Sequence, residues 1–263
     1  MDINKIKQKL EAFQNASMLK SNLVWKAPAG KSQIRLIEYK HDKDNPFVEL
    51  YFHFNIQKGK PILSPTSYGE ADPIVEFANK LRKTGSKEDF LLARKLEPKM
   101  RVFAPVVVRG LEAEGVKVWG FGKTVANEIL SFIVDPDYGN IADTMNGRDI
   151  AVEVITPAEA GNQFGKTTIR VKPNKSQLHE NAEFVKKFLE NQPNIMELYT
   201  KYTYDELKEV LKNYLEPSAD TEQQTQKAAD ATTESKVAPS VTIKSKTSKV
   251  EDVNAAFDDI FNN

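Results

Sequence analysis

The alternation of hydrophobic and polar residues along the chain predicts short β-strands interleaved with a few helices. The turn HDKDNP separates SQIRLIEYK from FVELYFHFNI, and GLEAEG separates RVFAPVVVRG from VKVWGFG. A glycine-containing loop joins a further pair, RDIAVEVIT and KTTIRVKP. A period of two with β-branched and aromatic residues is typical of strands. The pattern therefore predicts a small antiparallel barrel with added helices, an α+β or mostly-β fold.

Apolar residues at helical spacing predict helices over 2–16, 73–95, 124–134, 179–191 and 203–215. The last of these opens with the capping-box pattern Thr203-x-x-Glu206. Residues 60–73 contain three prolines and a glycine and are predicted to form an exposed loop. Beyond Glu216 the composition predicts a disordered tail. The predicted organisation is a basic N-terminal helical segment (1–20), a core (21–216) and a tail (217–263).

The net charge is zero, but the charges are unevenly distributed. Residues 77–123 hold eleven basic and five acidic side chains, whereas residues 217–263 hold five lysines and eight carboxylates. A basic region of this kind attracts polyanions, although a solvated surface is the alternative. The end of the chain, EDVNAAFDDIFNN, combines four carboxylates with apolar residues and has no Lys or Arg. Such an end is expected either to cover a binding surface or to recruit partners.

Several function classes are disfavoured by the sequence. The chain has no cysteine, so disulfides and thiolate metal sites are excluded. No apolar run approaches the ~20 residues that span a bilayer, and no signal peptide is recognisable, so we expect a soluble intracellular protein. GFGKT and GNQFGKT lack the glycine that a phosphate-binding loop needs five positions before its Gly-Lys pair. His53, in an aromatic strand, is more typical of a satisfied core histidine than of a catalytic base. We predict that the protein is not an enzyme.

Basic residues interleaved with aromatic residues are the strongest binding signal. Trp119 and Phe121 share one face of a strand with Lys123 after them, and Arg101 shares a face with Phe103. Exposed rings stack bases at roughly 1–3 kcal/mol each, while nearby cations contact phosphates. The alternative, which the pattern leaves open, is that Trp119 and Phe121 are core residues. The remaining candidates are weaker rings at Trp25 and Tyr68 and the helical cations Arg82, Lys83, Arg94 and Lys95.

Taken in order, GKSQIRLIEYKHDKDNPFVELYFHF, SPTSYGEADP, VFAPVVVRG, VWGFGKTVANEI and DPDYGN…GRDI resemble the T-even bacteriophage single-stranded DNA-binding (helix-destabilising) protein family. The acidic end resembles that family's tail. The resemblance implies an OB-fold core that coats and protects single strands during phage replication, recombination and repair, in the cytoplasm of the infected bacterial host. It implies a groove containing positions matched here by Phe103, Trp119, Phe121 and Lys123.

The resemblance also implies partners. A basic N-terminal segment would dock on the next protomer, here through Lys5, Lys7 and Lys9, although these are spaced along a helix rather than clustered. The acidic tip would recruit replication and recombination proteins of the helicase-loader, polymerase and primase–helicase class. Its residues are Phe257, Asp258, Asp259, Ile260 and Phe261. The alternative function is a non-catalytic OB-like interaction scaffold or an RNA-binding protein.

The family's zinc site is the clearest departure from the resemblance. The family typically binds zinc with one histidine and three cysteines. His53 matches the histidine, but Ser64 and Val75 stand near two cysteine positions and the third falls beside Asp72. One imidazole without thiolates does not hold a structural zinc ion. We therefore predict no metal and no other cofactor.

Overall fold

A computed structural model describes residues 22–57, 59–161 and 165–215. The predicted N-terminal helix with Lys5, Lys7 and Lys9, and the tail with its acidic tip, lie outside the described residues. The chain forms two compact units. The first comprises the described residues up to Leu50 together with Met100–Thr200, and the second comprises Tyr51–Lys99 and the described residues from Lys201 onward.

The strands follow the predicted order. They are β1 (Val24–Trp25), β2 (Gly30–Leu36), β3 (Val48–His53), β4 (Ile62–Leu63), β5 (Lys99–Val108), β6 (Lys117–Phe121), β7 (Gly147–Ile155) and β8 (Lys166–Ser176). The helices are α1 (Pro73–Lys83), α2 (Lys87–Leu96), α3 (Lys123–Val134), α4 (Pro157–Ala160), α5 (Ala182–Glu190) and α6 (Tyr204–Leu215). Short 3-10 turns lie at Pro65–Tyr68, Glu112–Glu114 and Ile195–Glu197. The prediction of an α+β fold is confirmed.

The first unit is built on a mixed sheet with the strand order β1-β6-β5-β2-β7-β8. The β1–β6 pair is parallel and the other neighbours in this order are antiparallel. In the part of the chain that the structure describes, this path is open, with β1 at one end and β8 at the other. The register of β7 against β8 shifts between Arg148 and Ile150, which marks a bulge.

The two faces of this sheet are covered by different helices. Alternate residues of β2, β5, β6, β7 and β8 point to one face and form the main core, against which α3 buries Val125, Ala126 and Ile129. On the opposite face, Ile37 and Val107 pack with Phe188 of α5. The same opposite face also buries Phe103 on β5, and its part on β2, β7 and β8 carries the polar residues of the candidate site described below.

The second unit joins the β3–β4 hairpin, in which His53 pairs with Ile62, to α1, α2 and α6. Asp72 caps α1 by accepting hydrogen bonds from the N–H groups of Ile74 and Val75. The predicted capping box at α6 is confirmed, because the amide of Glu206 donates to Thr203 Oγ1 and the amide of Thr203 donates to the Glu206 carboxylate.

The prediction of an exposed loop over 60–73 is wrong at its centre. Ile62 and Leu63 form β4 and are buried together with Ser64 and Pro65. Ser64 and Asp72 find buried hydrogen-bond partners in this unit, so the segment is held in the interior despite its prolines. Among the described residues, no helix has the length and apolar character needed to cross a membrane.

Candidate nucleic-acid interface

The aromatic residues that led the sequence prediction lie in the core. Trp119 is 2% exposed and Phe121 is 3% exposed, and both belong to the main core of the first unit. Their ring centroids are 4.5 Å apart, and the Trp119 ring meets Trp25 edge-on at 6.0 Å. A ring this buried offers no face to a base. Of the two alternatives for Trp119 and Phe121, burial favours packing.

Phe103 is also buried, on the opposite face of β5. Its register partner is Gly120, and a Cβ placed on Gly120 would lie 2.7 Å from Phe103 Cε1, so the ring lies directly over the glycine. The Tyr199 ring packs beside it at 5.5 Å. Burial raises the pKa of Tyr199, although the charge of Arg101 opposes the shift. Arg101 itself is exposed and donates to the Gly120 carbonyl at 3.2 Å. Of this pair, only the arginine is accessible to a ligand.

The remaining predicted cations are exposed. Lys123 lies at the first turn of α3 in the first unit. In the second unit, Arg82 and Lys83 end α1 while Arg94 and Lys95 end α2, and Arg82 forms an ion pair with Glu97. The Tyr68 ring contacts the Lys201 ammonium group, which lies 4.8 Å from the ring centroid. Burial raises the pKa of Tyr68, and the charge of Lys201 acts in the opposite direction.

The structure brings together a second set of cations, which the sequence analysis did not single out. In the sheet register, Gln33 of β2 lies beside Ala151 of β7, which lies beside Arg170 of β8. One step along, Lys31 lies beside Glu153. Because side chains alternate along strands, these positions share the polar face of the sheet. The residues of this basic sheet face are Lys31, Gln33, Arg35, Arg109, Asp149, Ala151, Glu153, Arg170 and Lys172.

Asp149 is hydrogen-bonded to three other side chains of the basic sheet face. Its carboxylate accepts from Arg35 Nε at 2.8 Å and from Arg109 at 2.8–3.2 Å. Gln33 adds a third donor at 2.6 Å. Burial raises the pKa of Asp149, but the arginine hydrogen bonds and charges outweigh it, and the net pKa is lowered. Asp149 thus fixes both arginines in position, and Arg109 also lies 3.9 Å from the Glu112 carboxylate.

Both arginines are also held by backbone carbonyls. Arg35, which is fully buried, donates to the carbonyls of Asp143 and Ser176. Arg109 donates to the carbonyls of Gln177 and Leu178. With so many partners, the guanidinium groups lose little further freedom when an anion binds beside them.

A pocket of about 450 Å³ opens on this face. Lys31, Arg109 and Lys172 line it, together with Gln33, and Trp25 is half-buried at its edge. Among the described residues that line the pocket there is no carboxylate. Its remaining lining residues are Pro28, Ser32, Val108, Leu111 and Ala151. Cations that bind phosphate oxygens and a ring that stacks a base are the groups that single-stranded nucleic acids require.

The comparisons with known proteins agree with this chemistry. A family model described as "gp32 DNA binding protein like" matches residues 28–216, which is more than half of the chain. The chain belongs to this family. The resemblance to the phage single-stranded DNA-binding family is thus confirmed, and the family is one of DNA-binding proteins rather than of enzymes. No curated protein matches the chain. Of the pocket's cations, Lys31, Arg109 and Lys172 lie within the matched residues, whereas Trp25 precedes them.

The positions that match the family's metal site do not suit a metal in this chain. His53 Nδ1 lies 2.7 Å from the Leu96 carbonyl oxygen and Nε2 lies 2.9 Å from Asp72 Oδ2, so both ring nitrogens are already used. Ser64 supplies a hydroxyl that is engaged with Asp72, and the Val75 side chain has no donor atom. Within the described residues, no cluster of three or more His, Cys, Asp or Glu side chains is arranged to hold an ion.

Proposed function

We propose that this chain binds single-stranded DNA without sequence preference and without catalysing a reaction. The observation that carries the proposal is the pocket on the basic sheet face, with Lys31, Arg109 and Lys172 on its walls and Trp25 at its edge. Phosphate contacts supply most of the affinity of non-specific nucleic-acid binding. The half-buried Trp25 ring is proposed to add stacking, which tolerates any base because every base has a π-face.

The pocket favours a single strand over a duplex. In a duplex the base faces are covered by neighbouring base pairs, and a flat ring at the edge of a pocket has nothing to stack on. An open single strand presents both its phosphates and its base faces. The combination of a stacking ring at Trp25 with three cations for phosphates is therefore proposed to suit a single strand, because a duplex offers the phosphates without accessible base faces.

Other exposed cations are proposed to extend the contact with phosphates. Arg101 and Lys123 serve in the first unit. In the second unit the proposed contacts are Arg82, Lys83, Arg94, Lys95 and Tyr68. Tyr68 would act together with the Lys201 ammonium group that lies over its ring. For Trp119, Phe121 and Phe103 we propose a packing role instead, because burial leaves them no accessible face.

Tryptophan fluorescence separates the two tryptophans. In a Trp119→Phe variant, Trp25 is the sole emitter, and its fluorescence should be quenched when an oligo-dT strand is added. In the matched Trp25→Phe variant, Trp119 is buried and should respond weakly. Quenching confined to Trp119 would overturn the proposed stacking at Trp25. No binding by either variant or by the wild-type chain would instead favour the alternative of an interaction scaffold.

An RNA strand distinguishes the remaining alternative. The 2′-hydroxyl lets a protein tell RNA from DNA. Equal or tighter binding of oligo-U than of oligo-dT at the same salt concentration would favour the RNA-binding alternative. A clear preference for oligo-dT supports the proposed function.

The partner roles concern segments outside the described residues. We propose that Lys5, Lys7 and Lys9 support self-association on DNA, and that the acidic tip recruits replication and recombination proteins of the helicase-loader, polymerase and primase–helicase class. The proposed location is the cytoplasm of the infected bacterial host. Deleting 251–263 should tighten DNA binding at low salt, because a tethered polyanion no longer competes for the basic surface. Unchanged affinity and kinetics would assign the tip to partner binding alone.

A further inference from the structure

A buried network of three side chains lies at the centre of the second unit. His53 and Asp72 are both inaccessible to solvent and contact each other through Nε2 and Oδ2 at 2.9 Å. Ser64 donates its hydroxyl proton to the same Asp72 oxygen, and the other oxygen accepts from the amides of Ile74 and Val75. His53 Nδ1 faces the Leu96 carbonyl at 2.7 Å.

The hydrogen bonds determine where the protons are. A carbonyl oxygen only accepts, so His53 Nδ1 must donate to Leu96. Asp72 already accepts three hydrogen bonds from Ser64, Ile74 and Val75, which is the environment of an ionised carboxylate. Burial raises the pKa of Asp72, but the hydrogen bond and charge of His53 and the other donors outweigh it, and the net pKa is lowered. His53 Nε2 faces the Asp72 oxygen that also accepts from Ser64.

This network joins four separate segments of one unit. His53 ends β3, Ser64 begins the 3-10 turn, Asp72 caps α1 and the Leu96 carbonyl ends α2. A structural metal ion holds short segments together in the same way, by bonding to one side chain from each. Both oxygens of the Asp72 carboxylate are hydrogen-bonded, which is the condition under which a buried polar group is tolerated.

We propose that the buried His53–Asp72–Ser64 network is a metal-free structural clamp that replaces a metal ion in holding the second unit together. It follows that this unit requires no metal. Removing one member leaves buried polar atoms without their hydrogen-bond partners, which is destabilising.

The surrounding charged groups do not provide a competing partner for His53. On α6, Tyr204 donates to Glu76 at 2.6 Å, and burial together with Glu76 and Asp72 raises the pKa of Tyr204 to about 12, so this phenol stays neutral. At the end of α2, Glu97 forms an ion pair with Arg82. Asp72 is thus the carboxylate to which the His53 ring is hydrogen-bonded.

The full-length chain offers a direct test through the nitrogen resonances of its histidine rings. His53 Nδ1 should carry a proton that exchanges slowly with solvent, because it donates to the buried Leu96 carbonyl. His179 is the internal control, because its Nδ1 accepts a hydrogen bond from the Asn181 amide at 2.9 Å. A bare or rapidly exchanging Nδ1 on His53 would overturn the proposal, and this measurement needs no variant.

Thermal unfolding provides the second test. Asp72→Asn keeps one capping oxygen but replaces the other with an amide group that cannot accept from Ser64, and it should lower the unfolding midpoint by roughly 10 °C. The matched control Asp44→Asn, at an exposed residue, should change it little. Excess chelator or added Zn²⁺ should leave the wild-type midpoint unchanged. A chelator-induced fall in that midpoint, or an Asp72→Asn midpoint equal to the wild type, would contradict a metal-free clamp.

Discussion

Neutralising three exposed cations of the basic sheet face should change the salt dependence of DNA binding by a calculable amount. The variant is Lys31→Gln, Arg170→Gln and Lys172→Gln. All three residues are exposed, and Lys31 has only a solvent-exposed ion pair with Glu153 at 3.7 Å. Substitutions at such positions usually change stability by less than about 0.5 kcal/mol. The folded sheet should therefore be intact, and any loss of binding reports on contacts with DNA.

The expected magnitude follows from counterion release. Each phosphate neutralised on a single strand contributes about −0.7 to the slope of log affinity against log salt concentration. Three lost contacts make the slope shallower by about 2, so over a fourfold rise in salt the wild type should lose roughly 20-fold more affinity than the variant. Titration of a fluorescent oligo-dT strand at four or five salt concentrations measures both slopes.

A second triple variant controls for net charge alone. Lys43, Lys186 and Lys187 are also exposed residues of the first unit but do not line the pocket. Their replacement by Gln removes the same charge and should leave the slope within about 0.5 of the wild type. Equal slopes for the wild type and the sheet-face variant, with unfolding midpoints unchanged, would refute the assignment of this face to DNA. If the two triple variants changed the slope equally, the change would reflect the net charge of the protein and not contacts made by the basic sheet face.

Three further predictions concern stability, and urea denaturation of the full chain measures each. Asp149→Asn should cost about 3–5 kcal/mol, because it leaves the buried guanidinium of Arg35 without its carboxylate. Since the pKa of Asp149 is lowered in the folded chain, its contribution is complete above the unfolded-state pKa of about 3.9 and is lost as pH falls through the lower folded-state pKa. A wild-type acid-unfolding profile equal to that of the variant would contradict this. Trp119→Ala should cost about 3–5 kcal/mol, and a stable variant with weaker DNA binding would instead favour stacking. Gly120→Ala should cost about 1–3 kcal/mol, because its Cβ would lie 2.7 Å from the Phe103 ring, and the cost should disappear in a Phe103→Ala background.

The sequence predicted well those features that depend on local pattern. Alternating residues located the strands, and the Thr203–Glu206 pair located the start of α6, because a capping box is complete within four residues. The loop prediction at 60–73 failed because the partners that bury this segment are distant. Asp72 is held by His53, which lies nineteen residues earlier in the chain.

The candidate site was missed for the same reason. Lys31, Arg170 and Lys172 occur on strands that look ordinary when each is read alone. They share a face only because β7 pairs with both β2 and β8. The sequence predicted the β7–β8 pair, but nothing in the local pattern specifies the pairing of β7 with β2. The aromatic strand at Trp119–Phe121 attracted the prediction because a ring and a cation at alternate positions suit both a core and a binding face. Burial, which depends on α3 and the rest of the sheet, separates these two alternatives.

A carboxylate at the centre of a proposed DNA-binding face has a physical explanation. Without Asp149, the positive charges of Arg35 and Arg109 would repel each other. Each guanidinium group would then be held less firmly in its present position. With Asp149 the two guanidinium groups are fixed, and Arg109, which also pairs with Glu112 at 3.9 Å, is held at the wall of the pocket. A fixed charge costs little ordering entropy when a phosphate binds, whereas the flexible Lys31 and Lys172 must lose rotamer freedom. The expected division of roles is that Arg109 sets the position of a phosphate, while the lysines supply the salt-dependent part of the affinity.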